Sequence, residues 1–372
     1  MKIAITINTS WNIYNFRMGL IRELLKLGHT VVTIAPQDDY SKKLEEEGCH
    51  FVSISMDNTG SNPFRDYSLF KQLKAVYQQQ KPDIAFHYTV KPNIYGTLAA
   101  KSLGIPVINN VSGLGTVFLS RSISSWIAKK LYQHAFAKAD LVFFQNADDQ
   151  EAFLSQIDLP KLNMDLLPGS GINLTAFTKT APITGGKVFL MISRLIIDKG
   201  VLEYLEAAET TLKKYPDAKF QLLGKLDPDH ARGIPEEIIA KAHDNGFVEY
   251  LGETDNVKPY IEAASCIVLP SYREGTPRTL LEAAAMGRPV ITTNVAGCKE
   301  VVSDQVTGLL CKDRNAADLS DKMNMICDMV EEELSEMGKK GRQLIESKFD
   351  EQIVINQYLK HLSNIMNQLS TV

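Results

Sequence analysis

The chain has 372 residues, 44% apolar and 23% charged, with a formal net charge of −4. That length exceeds one ordinary hydrophobic core, so two domains are expected, and the mild acidity argues against bulk nucleic-acid binding. No apolar run approaches the ~20 residues needed to span a bilayer. The five cysteines (Cys49, Cys266, Cys298, Cys311, Cys327) form no C-x-x-C pair and predict reduced, mostly buried thiols. The opening MKIAITINTS lacks the apolar core of a secretion signal. The expected location is therefore the cytosol, at most touching a membrane from that side.

Short apolar runs predict buried parallel strands at 2–8, 29–36, 50–55, 83–88, 105–111 and 140–146. Amphipathic stretches such as FRMGLIRELLKLGH and IYGTLAAKSLG lie between them, which is the alternation of βαβ units. A polar, Gly-bearing link places a boundary near 167–186. The alternation then restarts at 187–194, 219–225, 248–253, 266–272 and 288–294, and ends in helical stretches at roughly 315–347 and 350–369. The expected fold is α/β: two Rossmann-like domains, 1–166 and 187–347, facing an interdomain cleft. A terminal helix within 348–372 is expected to cross back to the first domain. No internal repeat or low-complexity tract interrupts the pattern.

Ligands of open α/β sheets sit beyond the carboxyl ends of the strands. There, SYREGTPRTLLEAAAMGRPV (271–290) sets Glu274 in a Gly/Pro loop and Glu282 two turns into the next helix. Thr276 is suited to cap that helix and Pro277 to its first turn. The N–H groups of Arg278, Thr279 and Leu280 then form an anion site at the positive end of the dipole. Helical side chains lean toward the N-terminus, so Glu282 reaches back toward a ribose while Glu274 meets a hexose across a bound diphosphate. Taken alone, E-x7-E reads equally well as two solvated glutamates. LMISRLIIDKG adds Arg194 after a strand and Lys199 before a helix, two cations able to converge on one phosphate pair. A lysine at a helix start is electrostatically misplaced unless an anion lies beside it.

SRLIIDKG followed by EGTPRTLLEAAAMGRPVI resembles the donor-site signature of the retaining glycosyltransferases of family four, which carry the two-Rossmann GT-B fold. The resemblance spans essentially the whole chain. The N-terminal NIYNFRMGLIRELLKLGHTV…APQDDYSKKLEEEG further resembles bacterial transferases that extend polyprenyl-diphosphate-linked sugars in capsule, O-antigen or N-glycan precursor assembly. The resemblance implies a UDP-sugar donor, transfer with retention, and a lipid-linked saccharide acceptor at the cytosolic face of the inner membrane. It implies Glu274, Arg194 and Lys199 in catalysis, and a donor site that also includes Gly275, Thr276, Arg278, Thr279, Leu280, Glu282, Gly252 and Asp255. No metal or other cofactor is implied. LDPDH contains an Asp227-x-Asp229 pattern that reads as a turn rather than a metal motif.

The acceptor is expected on the first domain, at Asn8, Ser10, Tyr14 and Arg17 after the first strand. His87, Lys91 and Asn93 after the fourth strand, and Ser112 and Gly113 after the fifth, complete that set. Many relatives place Gly-Gly in the first of these loops and a histidine in the last; this chain has neither. His87 fits a core position as well as a cleft wall. The stretch 119–136, with Trp126, Lys129 and Lys130, reads as an ordinary helix or as a basic amphipathic contact with an anionic membrane. A non-catalytic sugar-nucleotide-binding subunit and an epimerase on the same fold are the alternatives. The four donor residues together argue against the first, and no acid/base pair is evident for the second. A NAD-dependent oxidoreductase is excluded because NTSWNIYN, not G-x-G-x-x-G, follows the first strand.

Overall fold

The computed structural model describes residues 1–57, 62–114, 118, 123–159, 161–181, 187–227 and 230–370. The chain divides into two compact units, Met1–Ser170 with Glu351–Val372, and Gly171–Asp350.

In the first unit, seven parallel strands stand in the order β3-β2-β1-β4-β5-β6-β7. They are β1 (Lys2–Thr6), β2 (Thr30–Ala35), β3 (His50–Ser53), β4 (Ile84–Tyr88), β5 (Val107–Val111), β6 (Leu141–Phe144) and β7 (Met164–Leu166). Six are the expected ones. β7 escaped the apolar pattern because it is a three-residue edge strand with no fully buried side chain. The first crossover helix, Ser10–Lys26, starts where the Thr9 side chain accepts the Asn12 N–H at 3.1 Å. Its Ile13, Leu20, Ile21 and Leu24 are buried against one sheet face. The terminal helix Glu351–Ser370 adds Val354, Ile355, Tyr358, Leu362 and Ile365 to that core. Their spacing makes one apolar stripe, and each buried side chain contributes about 1.5–3 kcal/mol. That stripe is why this helix groups with the first unit.

The second unit holds six parallel strands ordered β10-β9-β8-β11-β12-β13. They are β8 (Val188–Ile192), β9 (Lys219–Leu223), β10 (Glu249–Tyr250), β11 (Cys266–Leu269), β12 (Val290–Thr293) and β13 (Gly308–Cys311). β13 was not foreseen. The helix expected over 315–347 is two, Ala316–Asp328 and Glu331–Lys348. Met329 turns to extended backbone, and the Glu333 carboxylate takes the Val330 N–H at 3.1 Å, starting a new helix. The expected link is also divided: 167–170 belong to the first unit, and the chain from Gly171 onward to the second.

Each sheet reverses its strand order once, between β1 and β4 and between β8 and β11. Those neighbours point their carboxyl ends at the places where open α/β sheets bind ligands.

Candidate active site

The loops leaving β8 and β11 and the helix after β11 carry most of the donor-site candidates of the second unit. After β8 the chain runs through the 3-10 turn Ile197–Lys199 to Gly200, which adopts φ +73° and opens the Val201–Lys214 helix. A Cβ on Gly200 would lie 2.1 Å from the Pro270 carbonyl oxygen, so the turn presses directly on the β11 loop. The two loops are also stitched by the Tyr272 N–H, which donates to the Asp198 carbonyl at 2.9 Å.

Lys199 and Glu274 consequently meet. The Lys199 ammonium donates to Glu274 Oε1, and the buried Ser271 hydroxyl donates to the same oxygen at 2.7 Å. The anion demanded by a lysine at a helix start is therefore supplied by the protein itself, a partner that sequence spacing did not reveal. Glu274 Oε2 makes no hydrogen bond with the described residues and is not enclosed. Arg194 stands exposed after β8, and its guanidinium makes no ion pair or hydrogen bond with the described residues. Its positive charge faces solvent.

The Arg278–Ala285 helix follows Glu274 after three residues, with its first turn differing from expectation. Pro277, not Thr276, is the capping residue, and no side chain caps the helix. The Leu280 N–H returns to the Pro277 carbonyl at 3.1 Å, because the first turn tightens to an i→i−3 bond. Leu280 is fully buried and is removed from the expected donors, leaving the amides of Arg278 and Thr279 at the helix start. The Thr279 hydroxyl donates to the Ile192 carbonyl at 3.2 Å, pinning this helix start to the end of β8. Gly275 is buried and Thr276 half-buried beside Glu274.

Glu282 lies on the same helix, buried, with Oε1 accepting from Arg278 Nε at 2.8 Å. Burial pushes its carboxyl above the ordinary range; Arg278 and the charge of Lys258 oppose that shift without cancelling it. Gly252 adopts φ +75°, and its carbonyl accepts the Gly224 N–H at 2.7 Å; Asp255 is exposed on the loop that follows. Gly297 is a residue that sequence reasoning missed. At φ +83°, its added Cβ would lie 2.1 Å from the Glu274 carbonyl oxygen, while the neighbouring Ala296 carbonyl accepts the Glu274 N–H at 3.0 Å. The A-G after β12 was the available signal.

The first unit uses its acceptor candidates differently. Ser10 is buried, and its hydroxyl bonds the Pro36 carbonyl and the Ser41 hydroxyl, both at 3.0 Å, so it ties the fold together instead of meeting solvent. His87 is also fully buried, within hydrogen-bond distance of the Tyr77 hydroxyl (2.8 Å) and Asn109 Oδ1 (3.1 Å). Burial drives its imidazole down to about 3, against the pull of Asn109, so the ring is neutral. Lys91 pairs with Asp66 at 2.8 Å, and Asn93 is buried, donating to the Asn110 carbonyl at 2.9 Å. Each of these four side chains has a partner within the unit, and Ser10, His87 and Asn93 are buried there.

Arg17 is nearly buried, with its guanidinium 4.3 Å from the centre of the Tyr88 ring. Asn8, Tyr14, Ser112 and Gly113 retain partial or full exposure. Tyr14 packs 5.4 Å from Tyr40. Residues 119–122 and Asp229 lie outside the described residues. In the Ile123–Phe136 helix, Trp126 and Ile127 are exposed while Tyr132, Ala135 and Phe136 are buried against the sheet. Among the described residues no helix is long and apolar enough to cross a membrane, and no cluster of three or more His, Cys, Asp or Glu could hold a metal.

With this geometry in view, comparison with known proteins is specific. The chain is 29% identical over 387 aligned positions to the N,N'-diacetylbacillosaminyl-diphospho-undecaprenol alpha-1,3-N-acetylgalactosaminyltransferase of Campylobacter jejuni, covering 99% of this chain and 100% of that protein. It is 26% identical to the UDP-Gal:alpha-D-GlcNAc-diphosphoundecaprenol alpha-1,3-galactosyltransferase of Escherichia coli, covering 66% of this chain and 68% of that one. The fold superposes on sucrose-phosphate synthase from Thermosynechococcus elongatus with a TM-score of 0.81 at 19% identity, covering 100% of this chain and 99% of that one. Residues 2–146 match the glycosyl transferase 4-like family and residues 186–328 the glycosyl transferases group 1 family. The chain belongs to this two-domain glycosyltransferase family and is an enzyme of that class.

Proposed function

We propose that this enzyme moves a hexose or N-acetylhexosamine from a UDP-sugar to a polyprenyl-diphosphate-linked saccharide, with retention of anomeric configuration. One observation carries the reading. At the β8/β11 reversal, the loop carrying Arg194 and Lys199 is joined to the loop carrying Glu274 through the Lys199–Glu274 pair, and Thr279 pins the start of the Arg278–Ala285 helix to the end of β8. Such a niche suits a diphosphate with a hydroxylated ring on either side.

In the reaction, the bond from the anomeric carbon to the diphosphate oxygen breaks as the acceptor hydroxyl bonds that carbon on the same face. The acceptor proton passes to an oxygen of the departing phosphate. Arg194, Lys199 and the helix amides hold the growing negative charge, preorganised and without a metal in this proposal. Glu274 Oε2 accepts from the hexose hydroxyls and Glu282 from the ribose. Gly252 and Asp255 border the base.

The acceptor is assigned to the first unit, where Asn8, Tyr14, Arg17, Ser112 and Gly113 remain as contacts. The names of the two relatives, each specifying a diphospho-undecaprenol-linked sugar, support this class of acceptor. Trp126 and Ile127, exposed beside Lys129 and Lys130, suit contact with the membrane that carries such a lipid, at its cytosolic face. The test is UDP release from a panel of UDP-sugars, including UDP-N-acetylgalactosamine and UDP-galactose, in the presence of undecaprenyl-diphosphate-linked N-acetylglucosamine. Proton NMR of the product reads the anomeric configuration. An inverted product overturns the retaining mechanism; nucleotide-sugar binding without turnover on any acceptor overturns transfer to this class.

A further inference from the structure

We infer that Ser271 is a positioning residue that holds Glu274 in register for the donor sugar; this rests on the transfer reading above. Ser271 is fully buried two residues beyond β11, and its Oγ lies 2.7 Å from Glu274 Oε1. Its own carbonyl accepts from the Thr293 hydroxyl, and the Thr292 hydroxyl bonds the Leu269 carbonyl at 2.7 Å, so this segment is fastened to β12 on its other side. The serine is thus anchored before it touches the carboxylate.

Two donors share Oε1, and they differ in what a diphosphate does to them. The Lys199 ammonium is drawn toward any phosphate entering beside Arg194, because a doubly charged neighbour competes with Glu274 for the same cation. The serine hydroxyl is neutral and enclosed, so its bond survives donor binding. Ser271 then remains to stop the carboxylate from rotating, leaving Oε2 directed outward at the sugar. A carboxylate freed to rotate spends little time in the productive orientation, and small misplacements of reacting partners cost up to about 100-fold in rate.

The test is steady-state kinetics on the full chain with UDP-N-acetylgalactosamine and undecaprenyl-diphosphate-linked N-acetylglucosamine. Wild type, Ser271→Ala, Glu274→Gln and the double variant are compared. Ser271→Ala should lower kcat by about 10- to 100-fold, with donor KM changing less than about 3-fold because the phosphate contacts remain. In the Glu274→Gln background the same change should add little, since residues acting as a unit are not additive. A loss in Ser271→Ala that falls on KM alone, or that multiplies in full with Glu274→Gln, overturns the inference, as does wild-type kcat in Ser271→Ala. If Ser271→Ala loses its cooperative melt, Ser271→Cys, close in size and a poor donor, takes its place with the same criteria. Wild-type inactivity on this pair overturns the transfer reading for it, and the inference falls with it.

Discussion

Lys199 and Glu274 join the loops leaving the two central strands of the second unit, β8 and β11. Neither residue is fully exposed, so the pair is worth more than a solvated surface bridge, and it charges the floor of the proposed donor niche on both sides. Removing either partner strands the other. Lys199→Met should weaken UDP affinity by about 10- to 100-fold, the loss of one charge-assisted bond at about 1.5–3 kcal/mol. Glu274→Gln should leave UDP affinity within about 3-fold while cutting turnover at least about 100-fold, since its contact is to the sugar. Calorimetric titration with UDP and steady-state rates separate the two outcomes, and equal effects on both quantities would refute the division of roles.

Gly297 tests how the loop is built. A methyl group there meets the Glu274 carbonyl at 2.1 Å and the Gly275 carbonyl at 2.5 Å, with the backbone at φ +83°. The positive φ alone costs about 1–3 kcal/mol, and the overlap at 2.1 Å adds a repulsion that forces either the methyl or the facing carbonyl to shift. The cheaper response is for the Glu274 loop to move. Gly297→Ala should therefore abolish most turnover while lowering the unfolding free energy by no more than about 3 kcal/mol. Gly246→Ala is the control, since its Cβ meets nothing within 4 Å at a similar φ of +75°. It should lose stability alone.

The parallel strands follow from where apolar runs alternate with amphipathic ones, which is why Arg194, Lys199 and Glu274 could be placed at strand ends from the sequence. The Lys199–Glu274–Ser271 contact was not legible, because it depends on two loops 75 residues apart being pressed together at Gly200. The polar residues of the first unit misled for a related reason. A serine, histidine or asparagine near a strand end carries no mark of whether its partner is substrate or a neighbouring side chain. Ser10, His87 and Asn93 all face inward. β7 went unseen since it is an edge strand whose three residues keep no side chain fully buried.

Glu282 gives a prediction in which stability and binding move in opposite directions. Burial raises its carboxyl above the ordinary 4.5 despite the Arg278 bond. A carboxyl with a raised folded value takes up its proton more readily in the folded state, so the ionised form costs stability above that value and the cost is relieved as pH falls toward 4.5. Glu282→Gln removes the charge. Its melting temperature relative to wild type should rise from pH 4.5 to neutrality, while affinity for UDP falls about 5- to 30-fold through loss of a charged acceptor for the ribose. Affinity of the wild type should itself weaken on acidification sooner than an ordinary carboxylate dictates, and the variant should lose that dependence.

His87 supplies the clearest pH test of the first unit. Its ring contacts Tyr77, Asn109 and Thr97, and no charged group is among those contacts. Folded, it titrates at about 3; unfolded, at the ordinary 6.5. Between those values the unfolded chain binds more protons, so stability is complete above 6.5 and declines as pH falls toward 3. At a pH of about 5 this one residue should cost about 2 kcal/mol relative to neutrality. His87→Gln should be less stable than wild type at pH 7.5 by about 1–3 kcal/mol, from the broken Tyr77–His87–Asn109 chain. The gap between the two proteins in urea unfolding should then close by about 2 kcal/mol at pH 5, because the variant has no imidazole to protonate. The kcat of wild type should show no inflection that His87→Gln removes, since a neutral, fully enclosed ring exchanges no proton with substrate. An unchanged gap at the two pH values, or a lost kinetic inflection, would return His87 to the list of groups that meet the acceptor.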